Sequence, residues 1–291
     1  MKVIDAHAHL ELPIPGVTTN PERKRQPMGL MWEFELLKFN PVLWPLNGLE
    51  PSRTLISVEN QFRLSMGCPE NLLRFMDHHG IERSVVLPVA PFVSARRYLE
   101  ECRGQDRFIP FATAYPDDGW EMDLKEAMEA GCRGVKINPI LQRIAPEDDF
   151  YMNLAEVVRP YKRPIISHTG PFDYYTIADG YRCYGDVRRF EKLVAAFPDI
   201  PFIFGHSGLA GAQMAIDIAG RYSNVYLETS FQSAGRVRKA LGTIGKRRVM
   251  FGSDWPESNQ KTALSIARKV AGFDKDLLDN LLWRNIEELV G

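Results

Sequence analysis

Cysteine is scarce and scattered: Cys68, Cys102, Cys132 and Cys183 form no CxxC pair, which argues against a zinc knuckle and against a disulfide framework. No apolar run approaches the roughly 20 residues that span a bilayer. The N-terminus has no basic region leading into an apolar core either, because Asp5, His7 and His9 interrupt it at once. A cytoplasmic chain with reduced thiols and no membrane partner is the expectation. Net charge is nearly absent, with 36 Lys and Arg against 37 Asp and Glu giving −1, so there is no nucleic-acid footprint. The short basic cluster Arg23-Lys24-Arg25 reads as a solvated loop. Phosphate loops are missing as well: neither GxGxxG nor GxxxxGK[ST] follows any strand-like run, which removes the usual reason for an open, doubly wound sheet.

What is present is the balance of a globular core, 45% hydrophobic and 25% charged residues. Short β-branched runs recur at 3–9, 84–89, 108–114, 134–138, 164–168, 201–206, 224–229 and 248–254. Stretches of helical periodicity lie between them, at 72–79, 95–103, 121–130, 153–161, 188–197, 213–221, 236–242 and 262–271. Strands that alternate with helices pair in parallel through right-handed crossovers, and closing such a set predicts an α/β fold of the TIM (β/α)8 barrel type. Barrels of this kind use about 250 residues as one domain, so residues 1–291 are read as one domain. The one long interruption, about 11–68, carries Trp32 and Trp44 and several prolines. As an insertion after the first strand it is placed to cap an active site at the C-terminal rim.

Histidine is also rare, six in the chain, yet His7, His9, His168 and His206 all fall at the C-terminal ends of predicted strands. Side chains two apart on a strand share a face, about 6.6 Å apart along it, so His7 and His9 form an imidazole pair at the barrel mouth. Neutral imidazole is a common ligand for zinc-like ions, and a third histidine with a carboxylate completes a site with room for water. His168 and Asp254, in Gly252-Ser253-Asp254-Trp255-Pro256, are the candidates. A buried carboxylate there calls for a cation, although a helix N-cap is the plain structural role for such an Asp. His78 and His79 end a helical stretch before Gly80, where the helix terminus accounts for them. Lys136 lies at the end of the fourth strand, in position to pair with a carboxylate, bind an anionic substrate group or bridge two metals as a carbamate. Glu228 is placed to orient a ligand histidine or to face a helix.

Five segments resemble, in order, the amidohydrolase superfamily, and in particular its branch of aminocarboxymuconate semialdehyde decarboxylase-like enzymes. They are Ile4-Asp5-Ala6-His7-Ala8-His9, Arg133-Gly134-Val135-Lys136, Ile166-Ser167-His168-Thr169-Gly170, Phe204-Gly205-His206-Ser207-Gly208 and Phe251-Gly252-Ser253-Asp254-Trp255-Pro256. The tail from Leu282 to Leu289 is similar to the closing helix of that branch. The resemblance implies a metal-dependent barrel in which His7, His9, His168 and Asp254 hold one divalent ion, zinc first and manganese as an alternative. It implies His206 as a general acid or base, and in a metal-activated mechanism Asp254 can accept the proton of the bound water.

A divalent ion lowers the pKa of bound water toward about 7 and polarises a carbonyl. Hydrolysis of a small amide, lactone or ester is therefore the leading expectation, with non-oxidative decarboxylation of an unsaturated or aromatic acid as the alternative. A barrel that binds ligand without catalysis is the third reading. The partner is a small molecule, with Arg53, Arg63, Arg143 and Arg182 as candidate carboxylate clamps. Outer barrel helices are where a homo-oligomer would form.

Overall fold

A computed structural model describes residues 1–13, 63–171 and 180–291; the expected capping insertion and Arg53 lie largely outside them. Among the described residues, eight parallel strands follow the expected order: β1 (Ile4–Ala8), β2 (Arg83–Val86), β3 (Phe108–Pro110), β4 (Val135–Ile137), β5 (Ile165–His168), β6 (Phe202–Gly205), β7 (Val225–Glu228) and β8 (Val249–Met250). Regular ladders join β1 to β3 and β4 to β8. Backbone hydrogen bonds cross both remaining seams. Ala112 donates to the Gly134 carbonyl and accepts from Lys136, each at 2.8 Å, while His9 donates to the Trp255 carbonyl at 2.7 Å and Asp254 to that of His7 at 2.8 Å. The arrangement is the TIM barrel expected from the alternating pattern.

The helices begin where local chemistry supplies a cap. Ser94, Asp148, Ser233 and Asn259 each accept a backbone N–H with a side-chain oxygen, at the starts of Ala95–Glu101, Asp149–Val158, Ala234–Ile244 and Gln260–Ala271. Each helix then lays an apolar stripe on the strands, as Val237, Ala240 and Ile244 do in Ala234–Ile244. Inside the cylinder a separate apolar layer is built from Ile4, Ala6, Val85, Leu87, Ile109, Phe111, Ile166, Ile203 and Met250. Ile286, Leu289 and Val290 of the C-terminal helix Asn285–Val290 close its lower end. No helix among the described residues is long and apolar enough to cross a membrane.

The interior layer decides which side chains reach the mouth. Because strand side chains alternate, His168 follows Ile166 inward on β5 and Glu228 follows Tyr226 on β7, while Val135 and Ile137 pack outside and leave Lys136 pointing in. On β1 the alternation breaks. Ile4 and Ala6 belong to the interior layer but Ala8 to the outer one, and the register against β2 shifts between Asp5 and Ala8. That irregularity turns His7 and His9 toward the axis.

Tyr98 ties down the chain as it leaves β1. Its buried hydroxyl accepts from the backbone N–H of Leu10 at 2.9 Å and of Glu11 at 3.2 Å, and donates to the Glu11 carbonyl at 2.8 Å. Tyr98→Phe removes the hydroxyl from all three contacts, the buried Leu10 N–H among them. A loss of about 1–3 kcal/mol in stability is expected, read as a lower urea midpoint with the denaturant slope unchanged.

Candidate metal centre

The strand ends deliver seven polar side chains to one point. His7, His9, His168, His206, Lys136, Glu228 and Asp254 are all buried, none more than 7% exposed, and their contacts form a continuous network. His7 donates from Nδ1 to Glu228 Oε2 at 2.9 Å, and His9 donates from Nδ1 to the Leu87 carbonyl at 2.6 Å. Both rings therefore carry their lone pair on Nε2. Each Nε2 lies 3.2 Å from the same oxygen, Oδ1 of Asp254. Three electron-rich atoms thus converge, with the Lys136 ammonium 3.2 Å from one of them.

Electrostatics keep three of the imidazoles neutral. Burial, reinforced by the Lys136 charge, holds His7 well below the usual histidine range, His9 at about 4 and His168 at about 3. Lys136 approaches His7 Nε2 at 3.2 Å. Burial lowers its pKa to about 8 against the opposing pull of Asp254 and Glu228. Glu228 is pushed up to about 7 by burial, although backbone N–H groups of His206 and Ser230 and the Ser230 hydroxyl favour its ionised form.

Special backbone geometry holds this arrangement. His206 and Asp254 both take positive φ, 57° and 60°, just after their strands, where the chain turns sharply toward the next helix. Asp5 braces the second turn: it accepts from Ser253 N at 2.9 Å, from Ser253 Oγ at 2.5 Å and from Gln260 Nε2 at 3.1 Å. Gly252 stands against Glu228, and a Cβ there would lie 2.4 Å from Oε1 and 2.5 Å from Cδ, so only glycine leaves the carboxylate its place.

The expected site residues occupy distinct positions in this network. His7, His206 and Asp254 each offer a donor atom within 4.8 Å of the others, the group among the described residues with metal-ligand spacing. His9 joins through Asp254. His168 joins through His206, its Nδ1 lying 3.0 Å from His206 Nε2 and its Nε2 3.0 Å from the Gly170 carbonyl. Of the arginines proposed as clamps, Arg63 is buried while Arg143 and Arg182 are exposed. Arg182 lines a cleft of about 670 Å³ with Gly170 and Asp186. Asp5 and Ser230 carry weight that sequence alone did not assign. Each is a short polar residue two positions from a site residue, Asp5 before His7 and Ser230 after Glu228, which is the signal that would have found them.

The residues present fit a divalent cation. Neutral nitrogens and a carboxylate oxygen form a mixed N/O donor set suited to zinc or manganese, and the facing acceptors at Asp254 Oδ1 are an arrangement that positive charge resolves.

A parallel barrel with a buried histidine and carboxylate cluster at the C-terminal ends of its strands defines a TIM barrel of the metal-dependent hydrolase type. The chain belongs to the amidohydrolase family of enzymes, whose sequence model matches residues 4–291. No curated protein matches it in sequence. Among solved structures it is similar to an uncharacterised TIM-barrel protein from Bordetella bronchiseptica, with TM-score 0.70 and 18% identity over 99% of this chain and 98% of that one. A dihydroxybenzoic acid decarboxylase from a Polaromonas species, solved with manganese and the inhibitor 2-nitroresorcinol, gives TM-score 0.65 and 18% identity over 99% and 96%. An amidohydrolase from Burkholderia multivorans with bound zinc gives TM-score 0.63 and 15% identity over 100% and 99%. At such identities these likenesses establish the fold.

Proposed function

We propose that the chain is a metal-dependent hydrolase of a small, carboxylate-bearing lactone, ester or amide. The observation that carries this reading is the convergence of the His7 and His9 Nε2 atoms on Asp254 Oδ1, 3.2 Å from each. His7, His9, His168 and Asp254 would hold one divalent ion, zinc or manganese, with His206 close enough to share in it. When bound, such an ion supplies Lewis acidity and makes hydroxide available near neutral pH.

The chain's own residues do the rest. Asp254 accepts the proton that the attacking water loses and passes it to the His206 imidazole, which delivers it to the departing group, so both residues return to their starting charge. Glu228 and the Leu87 carbonyl fix the tautomers of His7 and His9. Lys136, a buried cation at the strand ends, supplies the charge that recognises a substrate carboxylate.

Non-oxidative decarboxylation is the second reading. It is favoured by the near full-length likeness to the Polaromonas decarboxylase. In that reaction the electrons of the broken C–C bond stay on carbon, which takes a proton from the site as carbon dioxide leaves.

The two readings separate on a substrate panel of lactones, esters and amides, with and without a carboxylate, together with aromatic hydroxy acids. Acid release and carbon dioxide are followed in parallel. Hydrolysis of the carboxylate-bearing members is expected at least about tenfold above their neutral analogues, the scale of one charge-assisted contact, and Lys136→Met should erase that preference. Carbon dioxide without hydrolysis products would transfer the assignment to the second reading.

A further inference from the structure

We infer that Thr169 is a positioning residue that holds the strained turn carrying His206 and so aims its imidazole into the site. The use of that imidazole as a proton carrier rests on the function proposed above; its placement does not. The turn is costly by itself. His206, Ser207, Gly208 and Leu209 take φ of 57°, 43°, 79° and 48° in succession, and only one of the four is glycine. Such backbone is disfavoured wherever a Cβ is present, and Leu209, at ψ −118°, lies outside even the small left-handed helical basin that other residues tolerate. Conformations of this kind persist only where surrounding groups over-determine them.

Those groups come from two sides. From β7 and the chain beyond it, Glu228 Oε2 accepts the His206 N–H at 3.0 Å, the Glu228 carbonyl accepts the Ser207 hydroxyl at 2.6 Å, and Gln232 Nε2 donates to the His206 carbonyl at 2.6 Å. Thr169 answers from β5. The ladder between β5 and β6 ends with His168 opposite Gly205, and one residue further on the chain of β6 turns away. There the hydroxyl of the fully buried Thr169 takes the place of ladder bonds: it donates to the Gly205 carbonyl at 2.6 Å and accepts from the Gly208 N–H at 3.0 Å. One side chain thus joins the residue before His206 to the residue two beyond it.

Gly170 lets the two strand ends close up on this bond, since a Cβ there would lie 2.6 Å from both atoms of the Gly208 carbonyl. Because Thr169 adjoins His168, the staple fixes the proton carrier against a residue proposed to hold the ion. The His206 ring sits 4.8 Å from that of His7, 4.7 Å from that of His168 and 5.3 Å from that of Phe231, centre to centre. A turn released on its β5 side would displace the ring relative to all three.

The zinc-loaded full chain is compared with Thr169→Val, which keeps the shape and removes the hydroxyl, and with Thr169→Ser, which keeps the hydroxyl. In the wild type the Gly208 amide should be protected from hydrogen exchange. In Thr169→Val that protection should fall by about tenfold, the scale of one hydrogen bond, while the amides of β6 keep theirs. The C–H signals of the His206 ring, assigned through His206→Gln, should shift in Thr169→Val and return in Thr169→Ser. On substrate, Thr169→Val should lower kcat by about 10- to 100-fold, the scale of a displaced catalytic group, with KM within about twofold, metal content unchanged and recovery in Thr169→Ser. A wild-type Gly208 amide that exchanges freely overturns the inference even if the valine variant does not fold, and so do His206 signals that Thr169→Val leaves unmoved. Loss of metal in that variant overturns it too, by showing that Thr169 acts through His168. Displaced His206 signals without loss of kcat uphold the positioning and instead remove His206 from the proposed chemistry.

Discussion

Asp254→Asn is expected to lower turnover by about 10²- to 10⁴-fold, to reduce bound metal, and to leave the metal-free protein as stable as the wild type or more so. The last part follows from geometry. In the wild type, Oδ1 faces two Nε2 lone pairs at 3.2 Å, three acceptors that oppose one another and that the Lys136 ammonium beside His7 only partly offsets. An amide in the same place offers N–H donors, so it can bond one of those nitrogens while keeping nearly the same volume. The backbone is unaffected, since asparagine tolerates the positive φ of 60° as well as aspartate does. A residue of purely structural value behaves the other way, losing stability when a buried partner is altered. Thermal unfolding of the chelated proteins, with metal content by elemental analysis, separates the two. His206→Gln gives the complementary result: turnover falls on a similar scale while metal remains, because His7, His9, His168 and Asp254 are still in place. Loss of metal in that variant would move His206 from proton carrier to ligand.

Much of this architecture is legible in the chain because period-two alternation is a local property. Once Ile166 is assigned to the barrel interior, His168 must follow it, and the flanking Val135 and Ile137 leave Lys136 one direction to point. The helices read from 153, 236 and 262 begin two to four residues earlier, at Asp149, Ala234 and Gln260, because the caps Asp148, Ser233 and Asn259 stand ahead of the apolar periodicity. What escapes the sequence is set by pairs of distant segments. The eighth strand reads as 248–254 but its ladder is confined to Val249–Met250, because the chain beyond Phe251 leaves β7 and bonds across the seam to His7 and His9 instead. The side change on β1 depends on its register against β2, and simple alternation places Ala6 and His7 on opposite faces. Asp5 and Ser230 look like ordinary small polar residues until Ser253 and Glu228 are brought beside them. The contact between His206 and His168 likewise joins the ends of two neighbouring strands, a distance that neither motif contains.

Removing bound metal from the wild type should abolish turnover and lower the unfolding temperature, with both restored by zinc or manganese. A ligand that binds only the folded state stabilises by about 2.7 kcal/mol at a hundred times its dissociation constant. For a chain of this length that is a shift on the order of 5 °C. The same geometry predicts an unequal response in Lys136→Met. Lys136 brings positive charge to within 3.2 Å of His7 Nε2, so in the metal-free protein it relieves part of the crowding of lone pairs that Asp254 creates. Without it, the metal-free form loses that relief while the loaded form loses a neighbour that repels the ion. The interval between the two unfolding temperatures should therefore widen in the variant, and a chromogenic chelator should withdraw the ion less readily than from the wild type. An interval that narrows would mean that Lys136 supports the loaded state, the outcome expected of a carbamate ligand. Mass spectrometry of the loaded protein then reads that modification directly.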